Sequence, residues 1–432
     1  MNSMQLLPYK QQVSFLLRLG LPIVVGQLGM IILGLADTIM IGHHSTEELA
    51  AAAFVNNVFN LAIIFATGFS YGLTPLIGML QGGGNTQGIG RVFRNALAAN
   101  ASVAVLLTAV MYTVYCFVDK LGQPEELLPH IRPYFVLQLI SLLFIMLFNG
   151  FRQFAEGLTD TRTPMWILLG GNALNIFGNY LLIYGSFGFP EWGLFGAGVS
   201  TLVSRIVMLL VFIGVVAVAR RYKVYREAIL RSRFNRNDFM QLNALGWPIA
   251  LQMGMETAAF SLSAIMVGWL GSIPLAAHQI MISVSTIGFM VYYGMGAALA
   301  VRVSHFMGQK DFPNLRRAVN SGMGIILSLA IVASLFFYLA RTPIIYSFTE
   351  DHEVMVVVSS LIFSLIVYQF GDALQITFAN ALRGTTDVKP MMWIAFFSYF
   401  IVALPVGYLC GFTWGGGVVG VWVAFPAGLF TA

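Results

Sequence analysis

The chain has 432 residues, of which 58% are hydrophobic and only 9% charged, with a mean hydropathy of +0.80. Soluble domains carry about 25% charge, so this chain lacks the polar surface to cover itself in water, and fibrous, disordered and disulfide-stapled classes are excluded with the soluble ones. The excess of 23 Lys and Arg over 18 Asp and Glu does not argue for nucleic acid, because the basic residues sit in short loops between apolar stretches.

A bilayer core requires about 20 apolar residues per helix. Twelve spans are predicted in chain order: Phe15–Met40, Leu49–Leu80, Val92–Val118, Pro133–Glu156, Pro164–Tyr184, Gly193–Ala219, Phe239–Leu270, Ile273–Met307, Leu315–Leu339, Val354–Leu382, Pro390–Cys410 and Gly417–Ala432. The polar opening MNSMQLLPYKQQ leads straight into the first span, so no cleaved signal peptide is expected. The twelfth stretch has 16 residues and reads as a truncated or incomplete final helix. With the N-terminus inside, and mid-span Arg205 set aside, nineteen Lys and Arg fall on the cytoplasmic side. Three, Lys120, Arg132 and Arg341, fall outside. That asymmetry predicts both termini in the cytoplasm.

The chain repeats itself. Leu19-Gly-Leu-Pro-Ile23 returns as Leu245-Gly-Trp-Pro-Ile249, and Ile39-Met-Ile-Gly42 returns as Ile265-Met-Val-Gly268. Gly157-Leu-Thr-Asp160 before Pro164 matches Gly384-Thr-Thr-Asp387 before Pro390. The expected architecture is an all-α membrane protein of about twelve helices in two six-helix bundles. Each repeat has an even number of spans, so the bundles are expected to be related by a pseudo-twofold along the membrane normal. The expected lobes are residues 1–219 and 239–432, joined by a basic cytoplasmic linker, residues 220–238.

Carboxylates at bilayer depth cost about 2.5–3.5 kcal/mol on insertion scales and mark function by default. Asp37, Glu256 and Asp372 lie inside spans. Tyr368 and Asp372 are four residues apart and share a helix face, which Gln375 continues. A phenol and a carboxylate together offer the oxygen atoms that hard cations prefer. In the fifth span Asn172, Asn175 and Asn179 share a face, and Thr201 lies early in the sixth. Asparagines there can equally serve as interhelical glue. Arg205 requires a partner or a watered cavity, with Asp37 as one candidate, and His278 reads as a satisfied structural histidine.

Several strings together resemble the multidrug and toxic compound extrusion (MATE) family, in its NorM-type bacterial branch. They are LGLPIVVGQLG with ADTIMIG, FAEGLTDTRTPM, LNIFGNYLLIYG, PLAAHQI, QFGDALQ and ALRGTTDVKPMM. The resemblance spans almost the whole chain. It implies two lobes around a V-shaped cleft and export of organic cations and toxic compounds against inward Na⁺ or H⁺. It also implies a cation site in the C-terminal lobe at Glu256, Tyr368 and Asp372. Its implied N-terminal-lobe site for a cation or proton is Asp37, Asn175, Asn179 and Thr201. Some relatives carry an acid where this chain has Asn179, so the site here holds less negative charge and leaves the ion open.

None of the five lysines follows a glycine, so no Gly-Lys-Ser/Thr phosphate loop can form. No nucleophile–base set or metal-ligand spacing stands out, and Cys116 and Cys410 lie apart in apolar stretches. The expectation is a transporter rather than an enzyme: a monomer of the bacterial inner membrane that touches lipids and organic cations. No cofactor is expected beyond the coupling ion. The rival readings are a flippase for a lipid-linked substrate, which should have a more basic cleft, and a cation channel, which a two-lobed repeat with asymmetric acids argues against.

Overall fold

The computed structural model describes residues 6–432; the first five residues of the polar N-terminal stretch lie outside them. Among the described residues there is no strand, and eleven helices are long and apolar enough to cross a membrane. They are α1 (Tyr9–His44), α2 (Thr46–Gly82), α3 (Thr86–Cys116), α4 (Leu128–Gly157), α5 (Arg162–Ile183), α6 (Gly193–Val218), α7 (Arg236–Gly268), α8 (Ser272–Gln309), α9 (Phe312–Leu339), α10 (His352–Gly384) and α11 (Lys389–Thr413). A twelfth, α12 (Gly417–Thr431), is apolar but shorter. The chain is a multi-pass membrane protein.

Local chemistry sets the helix ends, and it does so twice over. Asn85 caps α3 by accepting from the Gly88 amide at 2.8 Å, and Asp311 caps α9 by accepting from the Asn314 amide at 3.1 Å. The residue before each cap, Gly84 or Lys310, is left-handed, with φ of 70° and 59°. Thr159 and Thr386 follow the ends of α4 and α10, each with φ of 64°. A β-branched residue in that region is a genuine outlier. Two of them at matched positions show that the sequence repeat is also a repeat of backbone geometry.

The chain packs into two compact units. The first is Val25–Ala250; the second joins residues up to Val24 with Leu251–Ala432. This differs from a division at residues 220–238, because α1 and α7 each contribute to both units. Both helices run through a proline, Pro22 and Pro248. Ahead of Pro22, Gly20 lies so close to Met295 of α8 that a Cβ would meet its sulfur. Ahead of Pro248, a Cβ on Gly246 would meet the Phe69 ring of α2. These contacts lie within the second and the first unit respectively.

The linker is itself ordered. A tight turn at Arg220–Tyr222 leads into a helix, Lys223–Arg231, that docks in the first unit. Gly90 of α3 admits its backbone: a Cβ there would stand 2.5 Å from the Ala228 carbonyl carbon. Around it Arg91 pairs with Asp238 (2.5 Å), and the Tyr222 hydroxyl donates to Asp160 (2.6 Å). Burial, and then that hydrogen bond, push the Tyr222 phenol above its ordinary range.

Candidate functional site

Polar side chains interrupt the apolar helices in two places, one in each unit. In the first unit α1, α5 and α6 bring Asp37, Asn175, Asn179 and Thr201 together. Asn179, fully buried, donates from Nδ2 to Asp37 Oδ1 at 2.6 Å. With its amide turned to satisfy both ends, Asn175 donates to Asp37 Oδ1 at 3.0 Å and accepts from the Thr201 amide and hydroxyl at 3.2 and 3.1 Å. All four expected side chains therefore form one connected set. Asn172 lines the same space, and its Nδ2 has no hydrogen-bond partner.

Beside this set lies a cavity of about 270 Å³, lined by Asp37, Asn56, Tyr134, Gln138, Asn175 and Arg205 among others. Arg205 does not pair with Asp37, as the sequence suggested it could. It donates to Gln138 Oε1 at 3.1 Å and to Ser141 Oγ. Gln138 in turn donates to the Tyr134 hydroxyl (3.1 Å), which donates to Asn56 Oδ1 (3.1 Å). Sequence reasoning missed this relay. Its signal was present, since Gln138 and Ser141 are polar and three residues apart in an apolar helix.

In the second unit α10 carries Tyr368 and Asp372 on one face, both buried, and Asp372 is only 1% exposed. Neither carboxylate oxygen of Asp372 has a hydrogen-bond partner. That is unusual, because buried polar groups are nearly always satisfied. Glu256 of α7 lies close enough to interact electrostatically with both. It accepts from Gln252 Nε2 at 3.0 Å, and Gln252 Oε1 accepts from Arg383 at 2.8 Å. The arginine thus reaches the acid through an amide. The Tyr368 ring packs edge-on against Phe260 and Phe425, at 6.3 and 6.2 Å between centroids, which gives the cluster an aromatic wall.

Two further tyrosines belong to this cluster and were not singled out from sequence. Tyr292 of α8 interacts with Asp372, and Tyr399 of α11 interacts with both acids. The Tyr292 hydroxyl is buried without a hydrogen-bond partner, and the Tyr399 hydroxyl faces Glu256. Tyr399 lies in a π-helical stretch, Phe397–Ala403, which rotates α11 locally. Such bulges recur at functional sites. His278 is 1% exposed and accepts from Trp422 Nε1 at 3.1 Å through Nδ1, the bond of a structural histidine.

Residues 22–181 and 248–409 both match the family model described as MatE. The two matched segments begin at the same offset that separates Leu19 from Leu245. "Multidrug resistance protein NorM" of Photobacterium profundum is 30% identical over 430 residues, covering 97% of this chain and 91% of its own length. "Multidrug resistance protein PmpM" of Pseudomonas aeruginosa is 33% identical over 415 residues, covering 94% of this chain and 85% of its own. Among solved structures, that of the eukaryotic MATE transporter AtDTX14 aligns with a TM-score of 0.87 at 17% identity, covering 98% of this chain and 94% of that one. At that identity the likeness speaks for the fold alone.

Proposed function

The chain belongs to the MatE family of multidrug and toxic compound extrusion transporters, and from that premise we propose that it is a secondary active multidrug antiporter. It exports organic cations and other toxic compounds in exchange for Na⁺ or H⁺. Its place is the bacterial inner membrane, with both termini in the cytoplasm, as the nineteen-to-three split of basic residues supports. Its relatives' names as multidrug resistance proteins supply the substrate class.

The observation that carries the reading is the unpartnered Asp372 carboxylate beside Glu256 and Tyr368. An ion drives transport only if it binds the two conformations differently. Swinging a population from 1:99 to 99:1 takes about 5.5 kcal/mol. A carboxylate at bilayer depth costs about 2.5–3.5 kcal/mol, so each acid that an arriving cation neutralises in only one of the conformations contributes a large share of that energy. The residues also suit the cargo. Carboxylate and phenol oxygens can close around Na⁺, and either carboxylate can take a proton instead. In the first unit Asp37, Asn175, Asn179 and Thr201 form the second cation or proton site.

The test is ethidium efflux from proteoliposomes under an imposed Na⁺ or H⁺ gradient. Wild-type protein should extrude the dye only with a gradient present. Asp372→Asn and Glu256→Gln should each lower the gradient-driven rate at least tenfold at equal protein incorporation. Wild-type rates in either variant remove that acid from the coupling site. Dye movement indifferent to both gradients rejects antiport.

A further inference from the structure

Arg205 stands at the middle of α6 (Gly193–Val218), where a guanidinium costs about 2.5–3.5 kcal/mol on insertion scales. Its hydrogen bonds go to Gln138 Oε1 and Ser141 Oγ, both neutral. Among the described residues no ion pair joins it to a carboxylate, although Asp37 lies near enough to interact through space. An arginine carries five N–H donors in a rigid fork, so most of this fork has no protein acceptor. The relay through Gln138, Tyr134 and Asn56 holds the side chain in place on the wall of the 270 Å³ cavity. A charge held rigid on a cavity wall, with a carboxylate near it but not in contact, is placed to receive an anionic group.

The same cavity presents Asp37, fixed by Asn179. One pocket therefore displays a fixed negative group and a fixed positive group. A purely cationic guest satisfies Asp37 and is repelled by Arg205. An amphoteric guest satisfies both and leaves no net charge behind. Resting on the export reading above, we propose that Arg205 is a specificity-determining residue. Its guanidinium binds the carboxylate of amphoteric organic substrates, while their cationic end faces Asp37. The planar fork favours a carboxylate over a single-oxygen acceptor, because it can donate to both oxygens at once.

Two xanthene dyes separate the possibilities. Rhodamine 110 carries a free carboxylate, and rhodamine 123 is its methyl ester. Efflux of both is measured in proteoliposomes, with ethidium as the carboxylate-free control, for wild type, Arg205→Gln and Arg205→Lys. In Arg205→Gln, rhodamine 110 efflux should fall at least tenfold, while rhodamine 123 and ethidium are unchanged or faster. Arg205→Lys keeps the charge but not the fork, and should fall between. Polarisation of rhodamine 110 on purified protein should show the same order of affinity. Equal losses for all three dyes would make Arg205 a structural residue and overturn the proposal, as would an acid-to-ester ratio unchanged from wild type. Wild-type protein that moves ethidium but not rhodamine 110 also overturns it. If wild type moves none of the dyes under either gradient, the export reading itself fails.

Discussion

Tyr368 and Asp372 lie one helical turn apart, and the sequence offered them as a pair, the carboxylate because an acid in an apolar helix demands a reason and the phenol because it shares that face. The cluster also takes in Tyr292 and Tyr399, which went unread because phenols in apolar helices look like packing until their place beside the acids is seen. If the Tyr368 oxygen ligates the coupling ion, Tyr368→Phe should raise the half-saturating ion concentration for efflux about tenfold and leave the thermal midpoint within a few degrees. An unchanged half-saturating concentration would take Tyr368 out of the site. The first unit differs in kind. Asp37 is held by amides, which hydrogen-bond a carboxylate or a carboxylic acid without adding charge. The matched positions of the repeat do not carry matched acids: Asp37 aligns with Ser263 and Glu256 with Met30. We propose different jobs for the two sets. Asp37→Asn should flatten the dependence of efflux on pH at fixed Na⁺, whereas Asp372→Asn should abolish the response to Na⁺. A wild-type pH profile and full rate in Asp37→Asn would make the first-unit set structural.

At the scale of elements, hydrophobic runs and their lengths placed the spans, with α12 falling short of a full one. Basic residues between α6 and α7 marked the linker but said nothing of its order. The cause is tertiary. Lys223–Arg231 is helical and seated where Gly90 leaves room for its backbone, an arrangement no local pattern encodes. Overpacking a close contact costs about 1–3 kcal/mol. Gly90→Val should therefore loosen the linker while the spans stay in place. Limited trypsin digestion would read this as faster cutting at exposed Arg231, against the wild-type rate. Equal cutting rates would show that the seat does not hold the helix.

For the molecule as a whole, the repeat was legible because both copies kept the same turn residues, down to Asn85 and Asp311 at matched caps. The membership of the units was not, because it depends on where α1 and α7 pass from one to the other, at Val24 and Ala250. A fragment of residues 1–250 contains all of the first unit's chain; a fragment of residues 1–231 lacks the opening of α7 that lies against Phe69. The longer fragment should resist proteolysis in detergent markedly better than the shorter. Equal resistance would mean that the α7 segment adds nothing to the first unit.

The same crossing bears on how the protein is born. A ribosome delivers the chain from its N-terminus, and the translocon releases helices in that order. Val25–Ala250 is complete once Ala250 has emerged, so the first unit can settle while the rest is still being made. The opening of α1 has no such luck. Its resting place beside Met295 does not yet exist, since Met295 follows Gly20 by 275 residues. The earliest part of the chain to be synthesised is thus among the last to find its neighbours. Through that interval a membrane helix must wait half-docked, its leading end unclaimed.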